Sequence, residues 1–215
     1  RCLHSIMLTR FIYGCFWSMS AFIIPLYLQN ILNFSVFNSG LILAIMSLLT
    51  ALSSPFTGKF IDQSGYVKPI KISIFLSLVS ALFFCLLEPQ LSWSVLLIGL
   101  CLLGIGWGMY LPSITYAVSA RTPPPQNSSA MGLLQFVALT GAAMGVAIGA
   151  NIFSVSGKYY LNAKLPNATV SIYHVVTGTK ALNSIHSTKI RAIVAHGFVN
   201  SLHYSMWILA ALLAI

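Results

Sequence analysis

Acidic side chains are almost absent from this sequence. Asp62 and Glu88 are the only two in 215 residues, and all charged residues together make up 6% of the chain, whereas 58% of its residues are apolar. An ordinary soluble domain carries about 25% charged residues, and disordered chains are polar and highly charged. The composition therefore excludes both classes and indicates a polytopic membrane protein.

Cysteine and histidine are too few and too scattered for a metal or redox site. No two of the four cysteines have the C-x2-C spacing of such sites, so buried reduced thiols are expected. The histidines form no metal-ligand pattern with carboxylates or cysteines. We therefore predict no metal, no cofactor and no catalytic cluster of an enzyme. The residues concerned are Cys2, Cys15, Cys85, Cys101, His174, His186 and His196.

Six apolar stretches are long enough to cross a bilayer, which takes about 20 residues of apolar helix. Lipid offers the backbone no hydrogen-bond partners, so helices are expected, and the run 70–87 lacks the alternation of a barrel strand. We thus predict an all-α polytopic membrane protein. The spans, named A to F, are 6–32, 40–57, 70–87, 93–120, 130–155 and 198–215, and a long connection, 156–197, precedes span F.

The eleven Lys and Arg residues, which give a net charge of +9, stand mostly between apolar runs. A nucleic-acid interface needs a clustered basic face, so no nucleic-acid partner is predicted. The connections 58–69 and 121–129 carry cations, whereas 33–39 and 88–92 have none. The positive-inside rule then puts both chain ends in the cytoplasm and the connection 156–197 on the extracytoplasmic side, although five cations in 156–197 oppose that orientation.

The chain starts at Arg1 rather than at a methionine and ends at Ile215 in an apolar run. We therefore expect a piece of a longer protein in which span F is truncated. The alternative is a complete small membrane protein, such as an assembly subunit or a homodimeric half-transporter of a non-drug substrate.

The connection between spans B and C carries the pattern G-x3-D-x2-G-x2-K, formed by Gly58, Asp62, Gly65 and Lys68. Glycine permits a tight reversal, and the carboxylate can pair with cations or with amides at a helix end. An ordinary solvated turn is the alternative. The pattern resembles the signature cytoplasmic loop of the major facilitator superfamily, G-x3-D-x2-G-[RK]-[RK], with Lys68 displaced by two positions. A degenerate copy of this kind is usual in the C-terminal half of that family.

Glycines recur in spans D and E at positions suited to close helix packing or to a hinge. They and one helix-interrupting proline are Gly104, Gly108, Pro112, Gly141, Gly145 and Gly149. The stretch 141–148 resembles the G-G-[AS]-[ILM]-G-x-A element of EmrB/QacA-type drug:proton antiporters, a fourteen-span branch of the superfamily. The resemblance covers nearly the whole chain. It implies that spans A to F are the last six helices, one half of the fold built as a 3+3 inverted repeat.

Aromatic and polar side chains on spans A, D and E are candidates for a substrate cavity. Helical periodicity puts four of them on one face of span A, which Arg10 continues, and two on one face of span D. They are Tyr13, Trp17, Ser20, Tyr27, Trp107, Tyr110 and Gln135. Aromatic walls suit amphipathic, often cationic ligands, while packing or an interfacial belt is the alternative. In the superfamily the first two helices of each triplet line the cavity, which favours spans A, B, D and E.

The resemblance implies export of drugs or other amphipathic molecules by alternating access, coupled to protons, in a bacterial cytoplasmic (inner) membrane. Proton coupling normally needs an ionisable group buried mid-membrane, and no span has one at its centre. The family's coupling acids belong to its N-terminal half, so we expect this chain to be inactive alone. Its expected partners are the lipid bilayer, the missing N-terminal helices, an amphipathic substrate and protons.

Overall fold

The computed structural model describes residues 2–87 and 93–164, together with 195–197, 199–204 and 206–207. Almost all of these residues are helical, so the all-α class predicted from composition is confirmed. The helices are α1 (Cys2–Leu26, continued by a π-helical turn, Tyr27–Ile31), α2 (Val36–Ser64), α3 (Val67–Phe84), α4 (Trp93–Ser119) and α5 (Asn127–Lys164). All five are long and apolar enough to cross a membrane. The described residues within 195–207 are helical too and are called the C-terminal segment.

The helices extend beyond the apolar ranges that hydropathy marks. Helix α2 begins at Val36, where the Ser35 hydroxyl accepts a hydrogen bond from the amide of Asn38, and it runs to Ser64. Helix α5 runs to Lys164, past residue 156, where the long connection was expected to start. Backbone hydrogen bonds continue where a helix leaves lipid, so hydropathy locates the bilayer rather than the helix ends. The rest of that connection, 165–194, lies outside the described residues.

Helices α1 and α5 approach each other backbone to backbone. A Cβ added at Gly141 would lie 2.5 Å from the carbonyl oxygen of Phe11, and one added at Gly145 would overlap the backbone of Cys15. Helix α1 contributes Gly14, where a Cβ would lie 3.0 Å from the carbonyl oxygen of Ala138. Small residues on both helices therefore make this contact, as is common between membrane helices.

Helix α4 is held just as closely against α2 and α3. A Cβ added at Gly104 would lie 2.5 Å from the carbonyl oxygen of Met46 in α2, and Thr50 of α2 donates its hydroxyl to the Gly104 carbonyl at 3.0 Å. From α3, Ser80 donates to the carbonyl of Gly99 at 2.8 Å. Helix α4 continues unbroken through Pro112 to Ser119.

The C-terminal segment packs at the end of α3. Leu202 and Met206 have no exposed surface, and the His203 ring nitrogen Nε2 lies 2.8 Å from the carbonyl oxygen of Leu87. The five long helices form two closely packed groups, α1 with α5, and α2 and α3 with α4.

Candidate functional site

Four aromatic side chains meet where α1 crosses α4. Tyr13 stacks on Tyr110 with ring centroids 3.8 Å apart and an interplanar angle of 4°. Trp17 stacks on Trp107 at 4.2 Å and 11°, and Tyr13 also stacks on Trp107 at 5.5 Å. Spacings of four residues on α1 and three on α4 put each pair on one helix face. These four residues are called the aromatic cluster.

The buried end of the aromatic cluster is fixed by α3. The Tyr13 hydroxyl is hydrogen-bonded to the Ser77 hydroxyl of α3. Gly106 of α4 leaves room for this pair, because a Cβ there would lie 2.9 Å from Ser77 Oγ and 3.5 Å from the Tyr13 hydroxyl oxygen. In this conformation the hydrogen bond therefore fixes the position of Tyr13, and with it the ring of Tyr110 stacked on it.

A guanidinium group lies against the same rings. The Cζ atom of Arg10 is 5.6 Å from the centroid of Trp107 and 5.9 Å from that of Tyr110, within the range of a cation–π interaction. Arg10 is 6% exposed. Its position at the end of the span A stripe was visible in the sequence, but its contact with α4 was not.

The seven residues predicted to line a cavity occupy three kinds of position. Tyr13, Trp17, Trp107 and Tyr110 come together in the aromatic cluster, while Ser20, Tyr27 and Gln135 are not part of it. Ser20 is fully buried, with its hydroxyl donated to the carbonyl of Phe16, and Tyr27 is buried in the π-helical turn. Gln135 is exposed on α5.

Only part of the aromatic cluster is within reach of a ligand. Tyr13 and Tyr110 have no exposed surface, whereas Trp17 and Trp107 are partly exposed. The two indoles are therefore the surface that a bound molecule would contact first, and the two tyrosines support them from behind.

The structure also has an apolar groove that sequence reasoning missed. It lies between α2 and α4, has a volume of about 390 Å³ and contains none of the seven predicted cavity residues. Its walls are Leu49, Leu52, Ser53, Phe56, Thr57, Phe60, Ile105 and Met109. The one available signal was the apolar character of span B around the small residues Ser53 and Thr57.

The B–C pattern is mostly helical rather than a loop. Gly58 and Asp62 lie in the last turns of α2, Gly65 ends that helix, and Lys68 is in the first turn of α3. The interpretation of Asp62 as a loop residue was therefore wrong, because α2 continues to Ser64 before the chain reverses. Across the turn, Arg121 at the end of α4 lies 5.4 Å from the ring centroid of Tyr66.

Replacing Gly65 by alanine is expected to destabilise the protein by about 1–3 kcal/mol. Gly65 has φ +76° and ψ 168°, a conformation that residues with a Cβ rarely adopt. Gly58→Ala is the matched control: it lies inside α2, and no neighbour in the described part of the chain lies within 4 Å of an added Cβ, so alanine should stabilise the helix slightly. Melting temperatures of the full-length gene product in detergent test this. Equal shifts in melting temperature for the two variants would contradict the positive φ assigned to Gly65.

Comparison with known proteins identifies a family and several relatives of this chain. A family model described as Major Facilitator Superfamily matches residues 6–177. The uncharacterized MFS-type transporter YwoD of Bacillus subtilis is 31% identical over 143 residues, which cover 66% of this chain and 30% of that protein.

Two resistance proteins are also similar. The lincomycin resistance protein LmrB of Listeria monocytogenes is 34% identical over 145 residues, covering 65% of this chain and 30% of LmrB. The quinolone resistance protein NorA of Staphylococcus aureus is 28% identical over 134 residues, covering 62% of this chain and 34% of NorA. The matched region spans about a third of the length of these curated relatives.

Proposed function

The chain belongs to the major facilitator superfamily, and we propose that it forms the C-terminal half of a proton-coupled exporter of drugs or other amphipathic small molecules. The superfamily consists of transporters rather than enzymes, and the chain is an integral membrane protein. We further propose that the complete protein has fourteen spans, as in the EmrB/QacA-type branch. It would lie in the bacterial inner membrane with both ends of this chain in the cytoplasm.

The aromatic cluster is the observation that carries this proposal. Two partly exposed indoles, backed by two buried tyrosine rings, offer flat apolar surface of the kind that stacks on planar amphipaths. The relatives include proteins named for resistance to two chemically different kinds of compound, lincomycin and quinolones. A stacking surface accepts many ring systems, because its contacts depend on area more than on directional hydrogen bonds.

The contacts between the helices favour motion at the aromatic cluster, where α1 meets α4. Glycines bring α1 against α5, and α2 against α4, with backbones in direct contact. Such contacts resist sliding, since interlocked surfaces have few alternative arrangements. The contact of α1 with α4 is made instead through stacked rings and Arg10. We propose that alternating access changes this aromatic contact while the glycine-packed pairs move as units.

The energy source would lie outside this chain. Asp62 is the sole acidic residue in the described ranges, and it is exposed near the end of α2. A proton-coupling carboxylate is expected to be buried within the membrane. We therefore propose that the N-terminal helices supply the coupling groups and the second wall of the cavity, and that residues 1–215 do not transport alone.

Transport by the purified full-length gene product in proteoliposomes tests the proposal. With an imposed proton gradient, we expect movement of planar amphipathic dyes that stops when the gradient is collapsed. No gradient-dependent movement of any amphipath would contradict the exporter assignment. Residues 1–215 reconstituted alone should move nothing, and transport by them would favour the homodimeric half-transporter.

A further inference from the structure

Arg10 gives the aromatic cluster a positive charge that the described part of the chain does not neutralise. We propose that Arg10, together with the hydroxyl of Tyr110, binds the acidic group of the transported molecule, so that this site takes aromatic amphipaths carrying a carboxylate. This inference rests on the proposed function and names its substrate class.

Three buried polar atoms at this point have no hydrogen-bond partner among the described residues. They are Nε and Nη1 of Arg10 and the hydroxyl oxygen of Tyr110. Arg10 is 6% exposed and Tyr110 fully buried, and the guanidinium lies against the Tyr110 ring at 5.9 Å. Buried polar groups are nearly always hydrogen-bonded, and a buried charge without a partner is costly. Unpaired donors from α1 and α4 at one place indicate a site that an acceptor completes.

No described residue supplies that acceptor as a carboxylate. Helix α4 carries no charged residue between Trp93 and Ser119, and the charged residues of α5 are two lysines near its C-terminal end, Lys158 and Lys164. On α1 itself the other titratable group facing the N-terminal end is His4, which is exposed. Asp62, the sole acidic residue in the described ranges, is exposed near the C-terminal end of α2 and forms no ion pair with Arg10 there. The counter-charge therefore has to come from another molecule or from another part of the protein.

The chemistry of the site favours an organic carboxylate. A hydrogen bond from a guanidinium to a carboxylate is charge-assisted and therefore stronger than a neutral hydrogen bond. Trp107, whose ring lies under the guanidinium, is itself partly exposed, so a ligand stacked on the indoles has its polar end close to Arg10. A cationic ligand would bind less well, because the Arg10 guanidinium already lies over the ring faces and repels a second positive charge. We therefore expect this site to favour acidic amphipaths over the cationic ones that aromatic walls often suit.

Three probes of nearly the same shape isolate the effect of charge. They are 1-naphthaleneacetate, its neutral amide 1-naphthaleneacetamide, and the cation 1-naphthylmethylammonium. Binding is measured by titration calorimetry to the full-length gene product in phosphatidylcholine nanodiscs. We expect the acid to bind roughly 10- to 100-fold more tightly than the amide, as charged hydrogen bonds allow, and the ammonium to bind most weakly.

Variants attribute the preference to named groups. Arg10→Gln should lower the affinity for the acid to that for the amide, while leaving amide binding within about threefold, a difference below one hydrogen bond. Tyr110→Phe, which removes only the unpaired hydroxyl, should lower acid affinity by a smaller factor and not that of the amide. Arg121→Gln is the matched control, because Arg121 also lies over a tyrosine ring but is exposed, and it should change neither affinity.

Several results would overturn the proposal. Equal binding of acid and amide by the wild-type protein would do so, as would an Arg10→Gln variant that weakens both probes alike. If Arg10→Gln does not fold, the ratio of acid to amide affinity in the wild-type protein and the effect of Tyr110→Phe on that ratio still test the proposal. Loss of the preference in nanodiscs containing phosphatidylglycerol would assign the site to lipid phosphate instead. In each case, gradient-driven transport by the wild-type protein would still support the proposed function. A wild-type protein that neither transports an amphipath nor binds the probes would contradict that function as well.

Discussion

Replacing Gly145 by valine is expected to prevent the stable packing of α1 against α5. A side chain at this position would overlap the carbonyl oxygen of Cys15 and lie 2.6 Å from its Cα, both backbone atoms. Because backbone cannot rotate away as a side chain can, the two helices would have to separate. Overpacking costs about 1–3 kcal/mol and occasionally more. Separation would also remove the 2.8 Å hydrogen bond from the Ser18 hydroxyl to the carbonyl of Ala142.

Size-exclusion chromatography of the full-length gene product after heating measures this effect. We expect Gly145→Val to lose most of the monodisperse peak at temperatures where the wild-type protein is intact. Gly132→Val is the matched control on the same helix, since none of the residues that the structure describes comes within 4 Å of a Cβ added there. A Gly145→Val protein as stable as Gly132→Val would show that α1 and α5 are not in the described contact.

Replacing Trp107 by alanine should raise the half-saturating substrate concentration by about tenfold or more. Burial of a large apolar side chain is worth about 1.5–3 kcal/mol, and about 1.4 kcal/mol corresponds to tenfold in affinity. Trp107 contacts Trp17, Tyr13 and Arg10, so its loss removes the part of the aromatic cluster that joins the ring stack to the charge. Initial rates of gradient-driven transport over a range of concentrations give this value.

Trp93→Ala is the control for that variant. Trp93 begins the same helix, is 47% exposed and lies 5.8 Å from the ring of Phe34, outside the aromatic cluster. Its replacement should leave half-saturation within about twofold, as for most surface substitutions. If both variants shift half-saturation equally, stacking in the cluster does not contribute to substrate binding.

Helical periodicity located the pairs in the aromatic cluster but not their partners. Tyr13 with Trp17, and Trp107 with Tyr110, could be assigned to single faces from spacing alone. Their mutual stacking depends on where α1 crosses α4, which no local pattern contains. Tyr27 was assigned to the same face as Tyr13, but a rise of about 1.5 Å per residue puts it roughly 21 Å further along the helix, at the start of the π-helical turn.

The structure distinguishes buried polar residues with a partner in their own helix from those whose contacts lie on another helix, and the sequence does not show this difference. Ser20 satisfies its hydroxyl within its own helix by donating to the carbonyl of Phe16, so it can be fully buried without a ligand. Arg10 looked like a cation near a span end, and only the position of the Trp107 ring reveals its contact.

The end of α2 was missed because hydropathy does not mark where a helix stops. Hydropathy falls before Gly65, yet the helix stops only where the backbone reaches φ +76°.

Photoaffinity labelling tests most directly whether the aromatic cluster binds substrate. A transported amphipath carrying a diazirine would be irradiated with the full-length gene product in nanodiscs, and the modified residues identified by mass spectrometry. We predict labels at 10–17 of α1 and 107–110 of α4 that excess unlabelled substrate suppresses. Suppressible labels confined to 49–60, on the groove side of α2, would contradict the account.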